Sequence, residues 1–289
     1  MDRFPEKRIL ITGAGSGLGR ALSLEFARKR WRVCVAEINR QTAEETVRLV
    51  EDEGGVGIEV ICDVTKEEDL QKAAAHILEV WGGVDIVVNN AGAAGFGYFE
   101  KIPRDMWEWI FELNLKSVIN GCRIFIPIME AQNGGHIINI ASIAGLLSLP
   151  EMCSYNVTKA GVVSLSETLR SELSCKNIGV TVVCPTYFKT NEMNSFTSPD
   201  ERQRVLANAI RNRSSKILRI FASDKTAEDV ARYVVKSIDS NRLYSVPQFE
   251  GRFLWTLKRY FPEFYTEWCP FSIGKDILIR YLEFEYSFV

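Results

Sequence analysis

The stretch SYNVTKAG, residues 154–161, holds a phenol and an amine four positions apart. On a helix, residues four apart share one face, so Tyr155 and Lys159 would stand side by side. An exposed amphipathic turn would explain the pair taken alone. The sharper reading is proton transfer. A free phenol titrates near 10, so a tyrosine base at neutral pH must ionise about three pH units lower, roughly 4 kcal/mol. A neighbouring ammonium works in that direction. Ser142 stands upstream, just past an apolar run, where its hydroxyl could orient a substrate oxygen as a polar anchor rather than as a nucleophile.

A second cluster suits a phosphate. TGAGSGLGR, Thr12 to Arg20, follows the apolar run RILIT and precedes a helical pattern. Gly13, Gly17 and Gly19 keep Cβ atoms out of the turn. The backbone N–H groups of the Ser16–Leu18–Gly19 stretch can then face a pyrophosphate at a helix N-terminus. The alternative is a merely tight turn; the strand before and the helix after favour the binding reading. Glu37 ends the second apolar run, where a carboxylate accepts hydrogen bonds from ribose hydroxyls and repels a 2′-phosphate. This points to NAD(H) over NADP(H), although Arg40 lies nearby.

These residues need a scaffold. Apolar, β-branched runs recur at 8–12, 32–37, 57–63, 84–90, 136–142, 180–185 and 243–247, the pattern of parallel strands buried on both faces. Helical stripes lie between them, such as Leu70, Ala74, Ile77 and Trp81, or Val162, Leu165, Leu169 and Leu173. Strand alternating with helix predicts an α/β fold: a Rossmann-type, doubly wound parallel sheet of about seven strands flanked by helices. The chain reads as one dinucleotide-binding and catalytic domain over residues 1–247. Residues 248–289 form an aromatic-rich C-terminal extension that is not an independent domain; 13 of the 31 aromatic residues fall from Phe249 onward, without strand–helix alternation.

Bulk composition narrows the function. With 289 residues and a net charge of -2, the chain lacks the basic balance of a nucleic-acid binder. Seven cysteines, an odd number without a C-x-x-C pair, suggest neither a disulfide framework nor a zinc site, and fit a reducing, cytoplasmic setting. Two histidines, His76 and His136, lie far apart, which argues against a metal-centred mechanism. No run has the length of a signal-peptide core or of a membrane span.

Taken together, TGAGSGLG, NNAG (89–92), Asn114, Ser142 and YNVTK (155–159) resemble the classical short-chain dehydrogenase/reductase family in order and spacing. The resemblance implies that Tyr155 is the general acid/base, that Lys159 also binds the nicotinamide ribose, and that Asn114 supports a water-linked proton relay. It implies that Asp63 and Val64 contact the adenine, and that Asn90, Ala91 and Gly92 line the cofactor. Pro185 and Thr190 would hold its nicotinamide end. One departure stands out: Thr186 occupies the place of the family's usual glycine, and a Cβ there restricts the backbone. Similar proteins are homodimers or homotetramers built on the helices that carry Asn114 and Tyr155.

Ligands of open α/β sheets sit beyond the carboxyl ends of the strands. The segments there carry Leu146, Leu147, Leu149, Met152, Tyr187, Phe188, Met193 and Phe196, an apolar rim suited to a steroid-, retinoid- or lipid-like alcohol or carbonyl compound. Residues 190–220 read as a lid. Two readings of the tail stand: packing over the pocket or a neighbouring subunit, or peripheral membrane contact through 252–268. The first is favoured because basic and acidic residues balance there. The expected activity is NAD(H)-dependent interconversion of a hydrophobic alcohol and its ketone or aldehyde. The alternative is a dinucleotide-binding sensor or scaffold with little turnover.

Overall fold

A computed structural model describes residues 3–95, 98–189 and 222–267. Seven strands build one parallel sheet in the order β3-β2-β1-β4-β5-β6-β9. They are β1 (Arg8–Thr12), β2 (Arg32–Glu37), β3 (Val56–Ile61), β4 (Ile86–Asn89), β5 (Gly135–Ile140), β6 (Ile178–Val183) and β9 (Tyr244–Ser245). Every one of the seven apolar runs became a strand of this sheet. β7 (Tyr187–Lys189) and β8 (Ala222–Thr226) pair separately, also in parallel, and were not foreseen.

Alternation along the strands feeds two cores, one on each face. Leu10, Val87, Ile137, Val180 and Val182 point to one face. That face is covered by α3 (Glu67–Trp81), α5 (Ser117–Ala131), α7 (Cys153–Glu172) and the C-terminal α9 (Phe249–Tyr260). Ile9, Ile11, Ile86, Val88 and Ile138 point to the other. There lie α1 (Gly17–Ala27), α2 (Arg40–Asp52) and α8 (Ala227–Asp239). Each large side chain fully buried this way contributes about 1.5–3 kcal/mol, so the strand ends are held firmly where the chemistry has to occur.

The helical stripes need small adjustments. Leu70, Ala74 and Ile77 are buried, whereas Trp81 is only partly so. Along α7, Val162 is buried, and Leu173 just beyond its end, while Leu165 and Leu169 are half-buried. α4 (Arg104–Phe111) runs into α5 through a π-helical turn at Glu112–Lys116, a widening that commonly accompanies functional positions. A short helix, α6 (Ala144–Leu147), follows β5.

The ladders end earlier than the apolar runs. β3 stops at Ile61, not Asp63; β5 stops at Ile140, not Ser142; β6 stops at Val183, not Pro185. Cys62, Ala141, Cys184 and Pro185 leave the ladder but stay buried, which is why composition alone extended the strands through them. Asp63, Asn90, Ser142 and Pro185 thus all emerge at the carboxyl edge of the sheet. Among the described residues, no helix is long and apolar enough to cross a membrane.

Candidate active site

The glycine-rich turn leaves β1 at Thr12. Gly13 and Gly17 take left-handed angles, φ +62° and +49°, which side-chain-bearing residues rarely adopt. A Cβ at Gly19 would fall 2.2 Å from the carbonyl oxygen of Gly13, so the turn closes only around bare backbone. Asn90, one residue past β4, donates its side-chain amide to the carbonyls of Thr12 (2.8 Å) and Gly13 (3.1 Å). The Thr12 hydroxyl receives the N–H groups of Asn90 and Ala91 at 2.9 and 3.1 Å. β1 and β4 are thereby fastened together where the strand order reverses. Ser16 makes no side-chain cap on α1, and Leu18 is buried beneath the turn. A bare-backbone cradle at an uncapped helix N-terminus fits the pyrophosphate of a dinucleotide.

Glu37 stands at the end of β2 as expected, and its carboxylate already serves the turn. One oxygen accepts the Gly15 N–H at 3.0 Å; the other accepts those of Ile38 and Asn39 at 3.0 and 3.2 Å. Gly15, which the sequence pattern passed over, is therefore part of the cradle. Arg40 is exposed at the start of α2. Burial pushes the Asp63 carboxyl up, but hydrogen bonds from Thr65 and Lys66 outweigh it and hold the group below the usual range. Val64 is buried beside it.

At the other end, α7 presents Tyr155 and Lys159 on one face. The Lys159 ammonium lies 5.8 Å from the centre of the Tyr155 ring and donates to the Ile140 carbonyl at 2.9 Å. Ser142, two residues past β5, lies beside the Tyr155 side chain, and its hydroxyl accepts the Ala144 N–H at 3.2 Å. Three of the four expected catalytic residues are thus brought together. Their electrostatics differ from the expectation. Burial pushes the Tyr155 phenol up, and Ser142 beside it only partly offsets this. Burial also lowers Lys159 to about 8, which leaves it cationic at neutral pH. In the free protein the lysine's hydrogen bond goes to the Ile140 carbonyl and not to the phenol, which lies within reach of its charge. Cys184, packed behind this pair, is a protonated thiol pushed up to about 12 by burial.

Asn114 completes the group from the π-helical turn. It is fully buried, and its side-chain amide grips both backbone groups of Ala93: it accepts from the N–H at 2.9 Å and donates to the C=O at 2.8 Å. A Cβ on Gly92 would meet Asn114 Oδ1 at 2.9 Å and Lys159 Nζ at 3.4 Å, so Gly92 lies between the two. Asn114 therefore shapes the loop after β4, a use its sequence position did not announce.

The nicotinamide-side segment follows β6. Pro185 is buried, and its carbonyl receives the Ile143 N–H at 2.9 Å. Thr186 takes no left-handed angle, so the family's glycine is not required here. Along the rim, Leu146, Leu149, Met152 and Tyr187 are half-buried, whereas Leu147 is fully buried in the core and does not line the rim. The Phe188 side chain, Thr190, Met193, Phe196, Trp268 and the proposed lid fall outside the described residues.

Part of the aromatic tail packs onto the sheet domain. Leu254 and Tyr265 are buried, and Trp255 meets Tyr244 with ring centres 4.7 Å apart. Lys258 donates to the Leu146 carbonyl at 2.8 Å. Phe249, Phe253, Tyr260, Phe261 and Phe264 remain exposed.

Comparison with known proteins adds to this geometry. The family model described as short chain dehydrogenase matches residues 7–202. The probable oxidoreductase EphD of Mycobacterium tuberculosis is 32% identical over 238 residues, 81% of this chain; the chain spans only 40% of that relative's length. Mouse epidermal retinol dehydrogenase 2 is 33% identical, over 66% of this chain and 63% of the relative. A short chain dehydrogenase/reductase from Burkholderia phymatum, crystallised in complex with NAD, superposes with a TM-score of 0.79 at 31% identity, covering 88% of this chain and 94% of the other.

Proposed function

The chain belongs to the short-chain dehydrogenase family, and from that premise we propose that it is an NAD(H)-dependent oxidoreductase interconverting a hydrophobic secondary alcohol and ketone, or an alcohol and aldehyde, of steroid-, retinoid- or lipid-like character. The observation that carries this reading is the placement of the Lys159 cation 5.8 Å from the centre of the Tyr155 ring on one helix face, with Ser142 beside the phenol. The dinucleotide, when bound, supplies or takes up the hydride and, in its oxidised form, adds positive charge. Ser142 holds the substrate oxygen. Tyr155 gives that oxygen a proton during reduction and removes it during oxidation. Lys159 binds the nicotinamide ribose and adds its charge near the phenol. Asn114, which lies with Lys159 around Gly92, steadies the path by which protons return.

Glu37 supports NAD over NADP, since a 2′-phosphate would meet its carboxylate. The half-buried Leu146, Leu149 and Tyr187 support an apolar substrate, as do the names of the mouse relative and its activity class. A homodimer or homotetramer is supported by the exposed Trp109, Phe111 and Val157 on the helices expected to mediate it. The exposed aromatic residues of the tail favour a secondary role in peripheral membrane contact; co-pelleting with liposomes, lost on deleting 252–289, is its test.

The decisive experiment follows nicotinamide absorbance with a panel of hydrophobic carbonyls. Tyr155→Phe lowers turnover by about 10²–10⁴-fold and leaves NADH affinity within a few-fold. Equal turnover in wild type and variant would remove Tyr155 from the mechanism.

A further inference from the structure

Thr186 differs from its neighbours in what holds it. Gln248, fully buried ahead of α9, accepts the Thr186 N–H through Oε1 at 3.0 Å and donates from Nε2 to the Thr186 carbonyl at 3.4 Å. One side chain thus satisfies both backbone groups of a residue that has just left β6, in the manner of one more rung of a sheet. On the next turn of the helix, Gly251 makes room for the threonine itself. A Cβ at 251 would stand 2.8 Å from Thr186 Cγ2 and 3.2 Å from Ile143 Cδ1. The extra bulk at 186 is matched by missing bulk at 251.

The clamped segment lies against the chemistry. The Pro185 carbonyl receives the Ile143 N–H, one residue past Ser142, the Val183 carbonyl receives the Ala141 N–H, one residue before it, and Cys184 between them is fully buried. A shift of Thr186 therefore moves the wall that flanks Ser142 and Lys159. The Thr186 hydroxyl is itself buried, so the wall is formed by backbone and not by that group.

We propose that Gln248 is a positioning residue for the nicotinamide end of the dinucleotide, acting through the backbone of Thr186, with Gly251 as its steric counterpart. The inference rests on the dinucleotide-binding reading above and deepens it. It assigns to α9, beyond the strands and helices that carry the recognised motifs, control of how tightly the cofactor is held.

Titration of the purified protein with NADH, followed by nicotinamide fluorescence, tests it without any substrate. Gln248→Met keeps the size of the side chain and removes both hydrogen bonds; it weakens NADH binding about ten-fold, the scale of one lost hydrogen bond passed on to the cofactor. Gly251→Ala removes no hydrogen bond but pushes Thr186 from the other side, and gives a comparable loss. Adding Thr186→Ser to Gly251→Ala deletes the clashing methyl and restores most of the affinity. Lys258→Met, on the same helix but bonded to Leu146, leaves NADH affinity unchanged. Wild-type affinity in both Gln248→Met and Gly251→Ala overturns the proposal. So does failure of Thr186→Ser to restore Gly251→Ala, or an equal loss in Lys258→Met, which would mark mere loosening of α9. Absence of NADH binding by the wild type would instead defeat the dinucleotide reading on which the proposal stands.

Discussion

The ammonium of Lys159 donates to the Ile140 carbonyl at 2.9 Å, so the cation of the candidate site is bonded to the last residue of β5. Only 4% of Lys159 is exposed, and burial lowers it to about 8. Its charge therefore opposes folding. We predict that Lys159→Met stabilises the free protein at pH 7 by about 1–2 kcal/mol, the relieved burial of charge exceeding the lost hydrogen bond. Turnover is abolished. Urea unfolding at pH 7 checks the first half, and a destabilised variant would contradict it.

Glu37 supports the turn with the same carboxylate that, on the proposed reading, repels a 2′-phosphate. Glu37→Ser should therefore have two effects. Loss of the bonds to Gly15, Ile38 and Asn39 lowers stability by about 1–3 kcal/mol. Preference for NADH over NADPH, read as the ratio of kcat/KM values, shrinks at least about ten-fold. Wild-type enzyme using both cofactors equally well would remove the premise.

Asn114→Ala leaves the N–H and C=O of Ala93 without their partner in a buried setting. The expected loss is about 2–4 kcal/mol of stability, with turnover falling as the loop beside Lys159 loosens. A change in the urea midpoint too small to measure would show that Ala93 finds another partner readily.

His136 should dominate the first part of the acid limb. Its ring is fully buried; Thr181 donates its hydroxyl to the Arg242 carbonyl, so imidazole Nε2 is the donor to Thr181 at 2.8 Å, and Nδ1 accepts from Arg3 at 2.7 Å. Burial, then the charges of Arg3 and Arg170, hold it well below 6.5. The unfolded chain therefore takes up a proton that the folded one refuses. Stability is fully present above about pH 6.5 and falls by up to about 1.4 kcal/mol per pH unit below it. His136→Gln should flatten this limb between pH 6.5 and 5. Thermal midpoints across that range decide the matter, and parallel curves for the two proteins would contradict it.

What the sequence disclosed follows from which interactions leave a periodic trace. Apolar runs marked all seven strands of the main sheet; β1, β4, β5 and β6 are buried throughout, where little else is tolerated, whereas the edge strand β3 is only half-buried and departs from that expectation. Tyr155 and Lys159 were legible through helical spacing, and the glycines through the turn they permit. The π-helical turn around Asn114 has no pattern of its own, since one widened turn changes no composition. Leu147 was misread as rim because an apolar residue looks alike in a pocket and in a core. Gln248 was invisible: its partner lies 62 residues away and is reached through backbone atoms that every residue shares. Spacing reported that Tyr155 and Lys159 are neighbours but not the burial that raises the phenol in the free protein.

The recognised family match ends at residue 202, whereas Gln248 and Gly251 reach back to Thr186, beside the candidate site, from the last fifth of the chain. Evolution could therefore redraft this terminal segment, adjusting grip and fit, without disturbing the inherited catalytic apparatus. An engineer seeking a new selectivity would begin there, and a truncation meant to trim an ornamental tail would instead strip the buried Gln248, Leu254 and Tyr265 from the sheet domain.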